Sequence, residues 1–270
     1  MGILKRRKGG TPARSLQSRA SGGDQKFHLV HVTGVGFARE IIRAGQIDAT
    51  LCKVFEEDLV YFFAMRPAYK LREAQKRQEI IDYFPFVFLV DADHLGPPFH
   101  VYPFDTGGAL DGAFDDGASP GVYLEDYALE ETLQAVNNHI EWAFGSAANY
   151  YDGKVRRDFG ADIPDWDTGP KTFAKIARLA AEGSNRPDRR ASAIEIAYDR
   201  HITLDHVKFA VLPEQFLESP MGNNSEMLDK LTDAGISWDT YQWRPNRPPS
   251  DFHPEINKIV RKYLQGQGEL

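Results

Sequence analysis

Four groups of residues in this chain have types and spacings that could do chemistry. In the stretch His28-Leu29-Val30-His31-Val32-Thr33-Gly34-Val35-Gly36, an imidazole and a hydroxyl stand just before two glycines. A strand there delivers His31 and Thr33 to the mouth of a tight turn, where Gly34 and Gly36 let the backbone approach a ligand closely. The blander reading makes His31 a half-buried structural histidine and Thr33 an ordinary strand residue. Arg66 closes the aromatic run Leu59-Val60-Tyr61-Phe62-Phe63-Ala64-Met65 and precedes Pro67, so a permanent charge sits at the end of a core strand. Glu195 interrupts the apolar run Ala193-Ile194-Glu195-Ile196-Ala197-Tyr198. Ionised carboxylates are rarely buried without a partner, so Glu195 either faces water from an edge strand or is there for a purpose. Finally, Asp-Thr-Gly occurs at Asp105-Thr106-Gly107 and at Asp167-Thr168-Gly169. Two such aspartates sharing a proton would be aspartic-type hydrolase chemistry, but the Pro and Gly around both copies fit loops better than strand ends, and this reading ranks last.

The elements that must position these groups follow from periodicity. Phe27, Leu29, Val30 and Val32 suit a strand. Phe37, Ala38, Ile41 and Ile42 recur at helical spacing up to Gly45, a C-terminal stop. Residues 59–65 and 85–90 are dense in aromatic and β-branched side chains and predict buried strands. Residues 68–83 have a helical pattern carrying Lys70, Arg72, Lys76 and Arg77, either a solvated face or a groove for a polyanion. Residues 96–121, rich in Gly, Pro and Asp, predict a long surface loop. Helices are expected over 125–148, 172–182, 226–233 and 253–264, and strands over 193–198 and 207–212. Such irregular segregation of strands and helices favours an α+β fold.

Composition sets outer limits. At 270 residues, with 42% hydrophobic and 26% charged residues, the chain can build a full core. No apolar run approaches the roughly 18 to 20 residues of a membrane span, so no membrane association is expected. The basic start Lys5-Arg6-Arg7-Lys8 lacks a following apolar stretch, so a signal peptide is not expected. Cys52 is the single cysteine, which excludes an intrachain disulfide and a cysteine-rich zinc site, and no metal is expected; a cytoplasmic setting fits. The net charge of −7 argues against a uniformly basic nucleic-acid coat but leaves room for a local basic groove. Residues 1–24, poor in large apolar side chains, read as a flexible basic tail.

Taken together, the pieces resemble the ADP-ribosyltransferase fold, most closely the DarT-type toxins that ADP-ribosylate DNA. His31-Val32-Thr33 leading to Ile41-Ile42-Arg43-Ala44-Gly45 is similar to that family's opening strand and helix. Tyr61 to Pro67 is similar to its arginine-ended aromatic strand, Pro85-Phe86-Val87-Phe88 to a later apolar strand, and Glu195-Ile196-Ala197-Tyr198 to the strand of its catalytic glutamate. Phe37 stands where the family has a polar residue. The resemblance spans stretches of 28–91 and 190–212. It implies an α+β fold with a split mixed-sheet core and peripheral helices, a single domain over 25–270, and an inserted loop and helical segment over 96–183. It further implies NAD as co-substrate, Arg66 and Glu195 as catalytic residues, and His31, Thr33 and Gly34 as NAD contacts. The acceptor would be nucleic acid, DNA before RNA, bound by Lys70, Lys76 and Arg77. The setting would be a toxin or anti-phage effector with a possible antitoxin protein. A transferase acting on protein or RNA, or a binding module without turnover, are the alternatives.

Overall fold

The computed structural model describes residues 2–7, 16, 22–68, 76–180, 188–217 and 223–270. In chain order its elements are β1 (His28–Gly34), α1 (Val35–Ala44), β2 (Gln46–Ile47), β3 (Thr50–Cys52), β4 (Glu57–Ala64), β5 (Pro85–Asp91), β6 (His100–Tyr102), α2 (Thr106–Leu110), α3 (Leu133–Phe144), α4 (Ala147–Asp152), α5 (Thr168–Arg178), β7 (Glu195–Tyr198), β8 (Ile202–Thr203), β9 (Val207–Pro213), α6 (Asn223–Asp233), β10 (Ser237–Tyr241) and α7 (His253–Gly266). The fold is α+β. The chain divides into two compact units, the first formed by Met1–Gln25 with Gly96–Tyr198, the second by Lys26–Leu95 with Asp199–Leu270.

The second unit is built on a mixed sheet in the order β10-β9-β5-β1-β4, with β3 on β4. Its centre is β5, where Pro85 to Val90 are all buried, so the uninterrupted apolar run has neighbours on both faces. β5 pairs antiparallel with β1 and with β9, and β9 pairs parallel with β10. The helix after β1 ends where the glycine predicts: Gly45 is left-handed at φ 74°, and its N–H donates to the Ile41 carbonyl at 2.9 Å. Near the C-terminus, Glu269 is tied to His28 through both the backbone N–H and the imidazole.

The first unit is a helical layer around the short antiparallel pair β6 and β7. Here the structure differs from what the sequence pattern predicts. Residues 96–121 are not one loop: they contain β6, registered with Tyr102 opposite Glu195, and α2. The single helix expected over 125–148 is three pieces, a 3-10 turn at Leu124–Tyr127, then α3 and α4. Thr132 caps α3 by accepting from the Ala135 N–H, and Gly145 ends it at φ 74° before Ser146 caps α4. The described start of the chain also differs from a flexible tail. Leu4 is 2% exposed, the Ile3 N–H donates to Asp115 at 2.8 Å, and Arg6 and Arg7 pair with Glu125 and Asp126 at 2.9 and 2.6 Å. Glu125 and Asp126 are buried carboxylates that require such partners, so these basic residues are committed internally.

In the second unit, the helix expected over 68–83 is not found in its described part. Residues 69–75 lie outside the described residues. Residues 76–80 are irregular, with Gln78 bridged to Arg247, and only Ile81–Tyr83 form a 3-10 turn. No described helix is long and apolar enough to cross a membrane.

Candidate active site

The ladder between β1 and β4 stops early. Leu29 pairs with Ala64 and Val30 with Phe63, and the register recorded between these strands ends there. Beyond that point β1 keeps its neighbour β5 through Gly34. The opening is a cleft of about 490 Å³, walled by Val30 to Gly34 on one side and by Leu59 to Tyr61 with Phe63 on the other. His31 spans the split, its Nδ1–H donating to the Tyr61 carbonyl at 2.9 Å. That bond fixes the tautomer and leaves Nε2 as the ring's acceptor, while burial lowers the imidazole pKa and keeps it neutral near pH 7.

Thr33 lines the same cleft, as do Asp48, Thr50 and the 72% exposed ring of Phe37. Tyr61 is held from its far end, where its hydroxyl donates to Cys52 Sγ at 2.9 Å. At Gly34 a Cβ would stand 2.8 Å from the Asp82 carbonyl, so the turn requires the missing side chain for space, its φ of −83° being ordinary. Gly34→Ala is therefore expected to lower stability by about 1–3 kcal/mol, read as a reduced midpoint in urea. An unchanged midpoint would mean the turn has room to shift.

Arg66 follows the same strand. Met65 leaves β4 in the left-handed region at φ 55°, unusual outside glycine, and Arg66 is 1% exposed. It belongs to the second unit but is not among the residues lining the cleft. Lys76 and Arg77 lie in the exposed irregular segment of that unit, and Lys70 is outside the described residues.

Glu195 belongs to the first unit. It is the first residue of β7 and only 3% exposed, which removes the reading of a carboxylate facing water. Thr106 holds both its oxygens: the hydroxyl donates to Oε1 at 2.7 Å and the backbone N–H to Oε2 at 3.1 Å. His100 Nε2 is 3.3 Å from Oε1, and since burial pushes that imidazole down to about 3, it meets the carboxyl as a neutral ring. Burial pushes Glu195 up to about 7, with the two Thr106 hydrogen bonds opposing.

Thr106 is itself fixed. Asp105 caps α2 by accepting from the Gly108 N–H at 2.9 Å, and Arg190 donates to its other oxygen at 3.1 Å. Burial raises Asp105 to about 6, the nearby Glu195 adds to the rise, and Arg190 opposes it. Asp105 is thus a capping residue, and Asp167 likewise precedes a helix, α5; neither Asp-Thr-Gly copy ends a strand as hydrolase chemistry demands. Thr106, His100, Asp105 and Arg190 did not stand out in sequence as neighbours of Glu195.

No family model matches the chain, and no curated protein matches it. Among solved structures the chain is similar to Thermus sp. 2.9 DarT in complex with carba-NAD+, at 12% identity and a TM-score of 0.40, over 80% of this chain and 96% of that one. The same protein in complex with NAD+ is similar at 13% identity and a TM-score of 0.39, over 79% of this chain and 95% of that one.

Proposed function

We propose that the chain is an NAD-dependent mono-ADP-ribosyltransferase, with nucleic acid as acceptor and DNA before RNA. One observation carries the reading: Glu195 is a buried carboxyl that, among the described residues, no lysine or arginine neutralises. Its partners are a threonine and a neutral histidine. Keeping an ionisable group in an apolar strand without a counter-ion is costly, and groups tuned to near neutrality cluster where chemistry is done. Transfer from NAD breaks the glycosidic bond to nicotinamide and forms one to an acceptor atom, which gives up a proton. A carboxylate near that ribose stabilises the positive charge that develops and can take the proton.

In this reading Arg66 binds the diphosphate or positions the reacting group, and its charge is independent of pH. His31 and Thr33 hydrogen-bond NAD, and Gly34 gives the backbone close approach. Lys70, Lys76 and Arg77 meet the acceptor's phosphates. Residues 25–270 act as one catalytic domain with 96–183 inserted. A cytoplasmic toxin or defence effector restrained by an antitoxin protein is the biological setting that fits such chemistry.

Incubation with NAD and, separately, with DNA, RNA and protein, followed by intact mass measurement, tests this directly. The expected result is one ADP-ribose added to DNA. Addition to protein or RNA alone would move the acceptor class. No nicotinamide release with any acceptor would sink the enzyme and leave a binding module.

A further inference from the structure

A second concave site lies in the first unit, on one face of α5. It is a groove of about 330 Å³ lined by Lys171, Lys175 and Arg178 of the helix and by Arg157 of the preceding loop. The spacing i, i+4, i+7 puts the three helix cations in one row. The loop can lie against them because residue 160 is glycine. Gly160 has φ +90°, and a Cβ there would come within 3.2 Å of the Ala174 Cβ.

The four cations are held differently. Arg178 is braced by two carbonyls, those of Ala174 and Phe159, at 2.9 and 2.5 Å. Lys171 reaches the Gly160 carbonyl at 3.4 Å and Asp165 at 3.2 Å, but Asp165 is fully exposed and such a pair is weak. Asp158, the one acid on the lining, is already paired with Arg156 at 2.7 Å. Arg157 and Lys175 are exposed, and among the described residues neither makes an ion pair. Stabilisation of the helix C-terminus would account for Lys175 and Arg178. It does not account for Lys171, one turn from the N-terminus, or for Arg157, which is not on the helix.

We infer that this groove binds a backbone phosphate of the acceptor nucleic acid, with Arg157 and Lys175 as the free charges and Arg178 and Lys171 as fixed ones. The inference rests on nucleic acid as the acceptor. Unlike the basic residues of 68–83, this cluster is contributed by two segments, which is why local charge patterning misses it. The net charge of −7 makes a concave cationic surface stand out as a place for a polyanion.

The test is binding of a fluorescein-labelled single-stranded oligodeoxynucleotide, by anisotropy, over a range of salt and without NAD. Arg157→Glu and Lys175→Glu are each expected to weaken binding about three- to tenfold. Each should also flatten the plot of log affinity against log salt by about 0.7 or more. Lys258→Glu, an exposed position on α7, is the control for a general loss of positive charge. Equal binding by wild type and groove variants overturns the inference, as does an equal loss in the control or no binding by the wild type. Displacement by inorganic phosphate at the same phosphate concentration as the oligonucleotide also overturns it, since the site would then be a general anion site. Binding that depends on the groove, with no ADP-ribose transferred by the wild type, would keep the groove and discard the transferase.

Discussion

Glu195→Gln is expected to lower nicotinamide release from NAD by roughly 10²–10³-fold while the protein stays folded. Glutamine has nearly the same shape. Its carbonyl oxygen, in the place of Oε2, can accept from the Thr106 N–H, and its amide, in the place of Oε1, can donate to the Thr106 hydroxyl oxygen or to the ring nitrogen of His100. What it lacks is the negative charge. Because burial holds the Glu195 pKa at about 7, wild-type activity should rise with pH through neutrality if the ionised form is the working one. The same shift predicts stability. A carboxyl whose pKa is raised on folding favours the folded state at low pH and costs stability as pH rises from about 4.5 to 7. Glu195→Gln should therefore be more stable than wild type above pH 7 and equal to it near pH 4, a gain in stability joined to a loss of activity. A purely structural Glu195 predicts no loss of turnover. Thr106→Val supplies the companion measurement: removing the hydroxyl donor moves the midpoint of the pH–activity profile upward, and Thr106→Ser brings it back. Full activity in Glu195→Gln would end the proposal that this carboxylate does the chemistry.

How much of this could be read in the sequence depends on how local each cause is. β1, α1 and the stop at Gly45 are written in neighbouring residues, as periodicity, a glycine turn and a left-handed cap, and they fall close to where they are expected. The buried strands β4, β5 and β9 announce themselves as runs of aromatic and β-branched side chains. β6 and β10 do not. β6 is three residues inside a stretch full of glycine and proline, and it is a strand because β7 pairs with it. β10 alternates with polar residues at a sheet edge and is defined by a parallel register with β9. The breaks that divide residues 125–148 were legible at Thr132 and at Gly145-Ser146, where cap chemistry outweighs the apolar pattern. For the candidate site, the single residues Glu195 and His31 were visible because each is a polar group in an apolar strand. The threonine that holds Glu195 lies 89 positions away, and no local pattern connects the two. Likewise the cleft exists because two strands part after Val30 and Phe63, a property of pairing rather than of either strand alone.

His139→Leu is expected to stabilise the protein and to remove much of its sensitivity to mild acid. His139 lies on α3, fully buried, among the rings of Trp142, Phe144 and Phe173 at centroid distances of 5.7, 6.3 and 4.9 Å. Among the described residues neither ring nitrogen has a hydrogen-bond partner. A buried polar atom left unsatisfied costs about 1–3 kcal/mol, so an apolar side chain of similar volume should recover part of that. Burial also holds the imidazole down to about 3, against the ordinary 6.5. The sign follows from proton binding. Between pH 6.5 and 3 the unfolded chain takes up a proton that the folded chain refuses, so stability contributed by the neutral ring is complete above 6.5 and is lost progressively as the pH falls. Urea unfolding of wild type and His139→Leu at pH 8, 6 and 4.5 measures both effects. The variant should be modestly more stable at pH 8, and its advantage should widen at 6 and again at 4.5. A constant difference across the three pH values would mean that water reaches the ring and that His139 titrates normally. No difference at all would mean that leucine repacks the aromatic nest at a cost equal to what the two nitrogens impose.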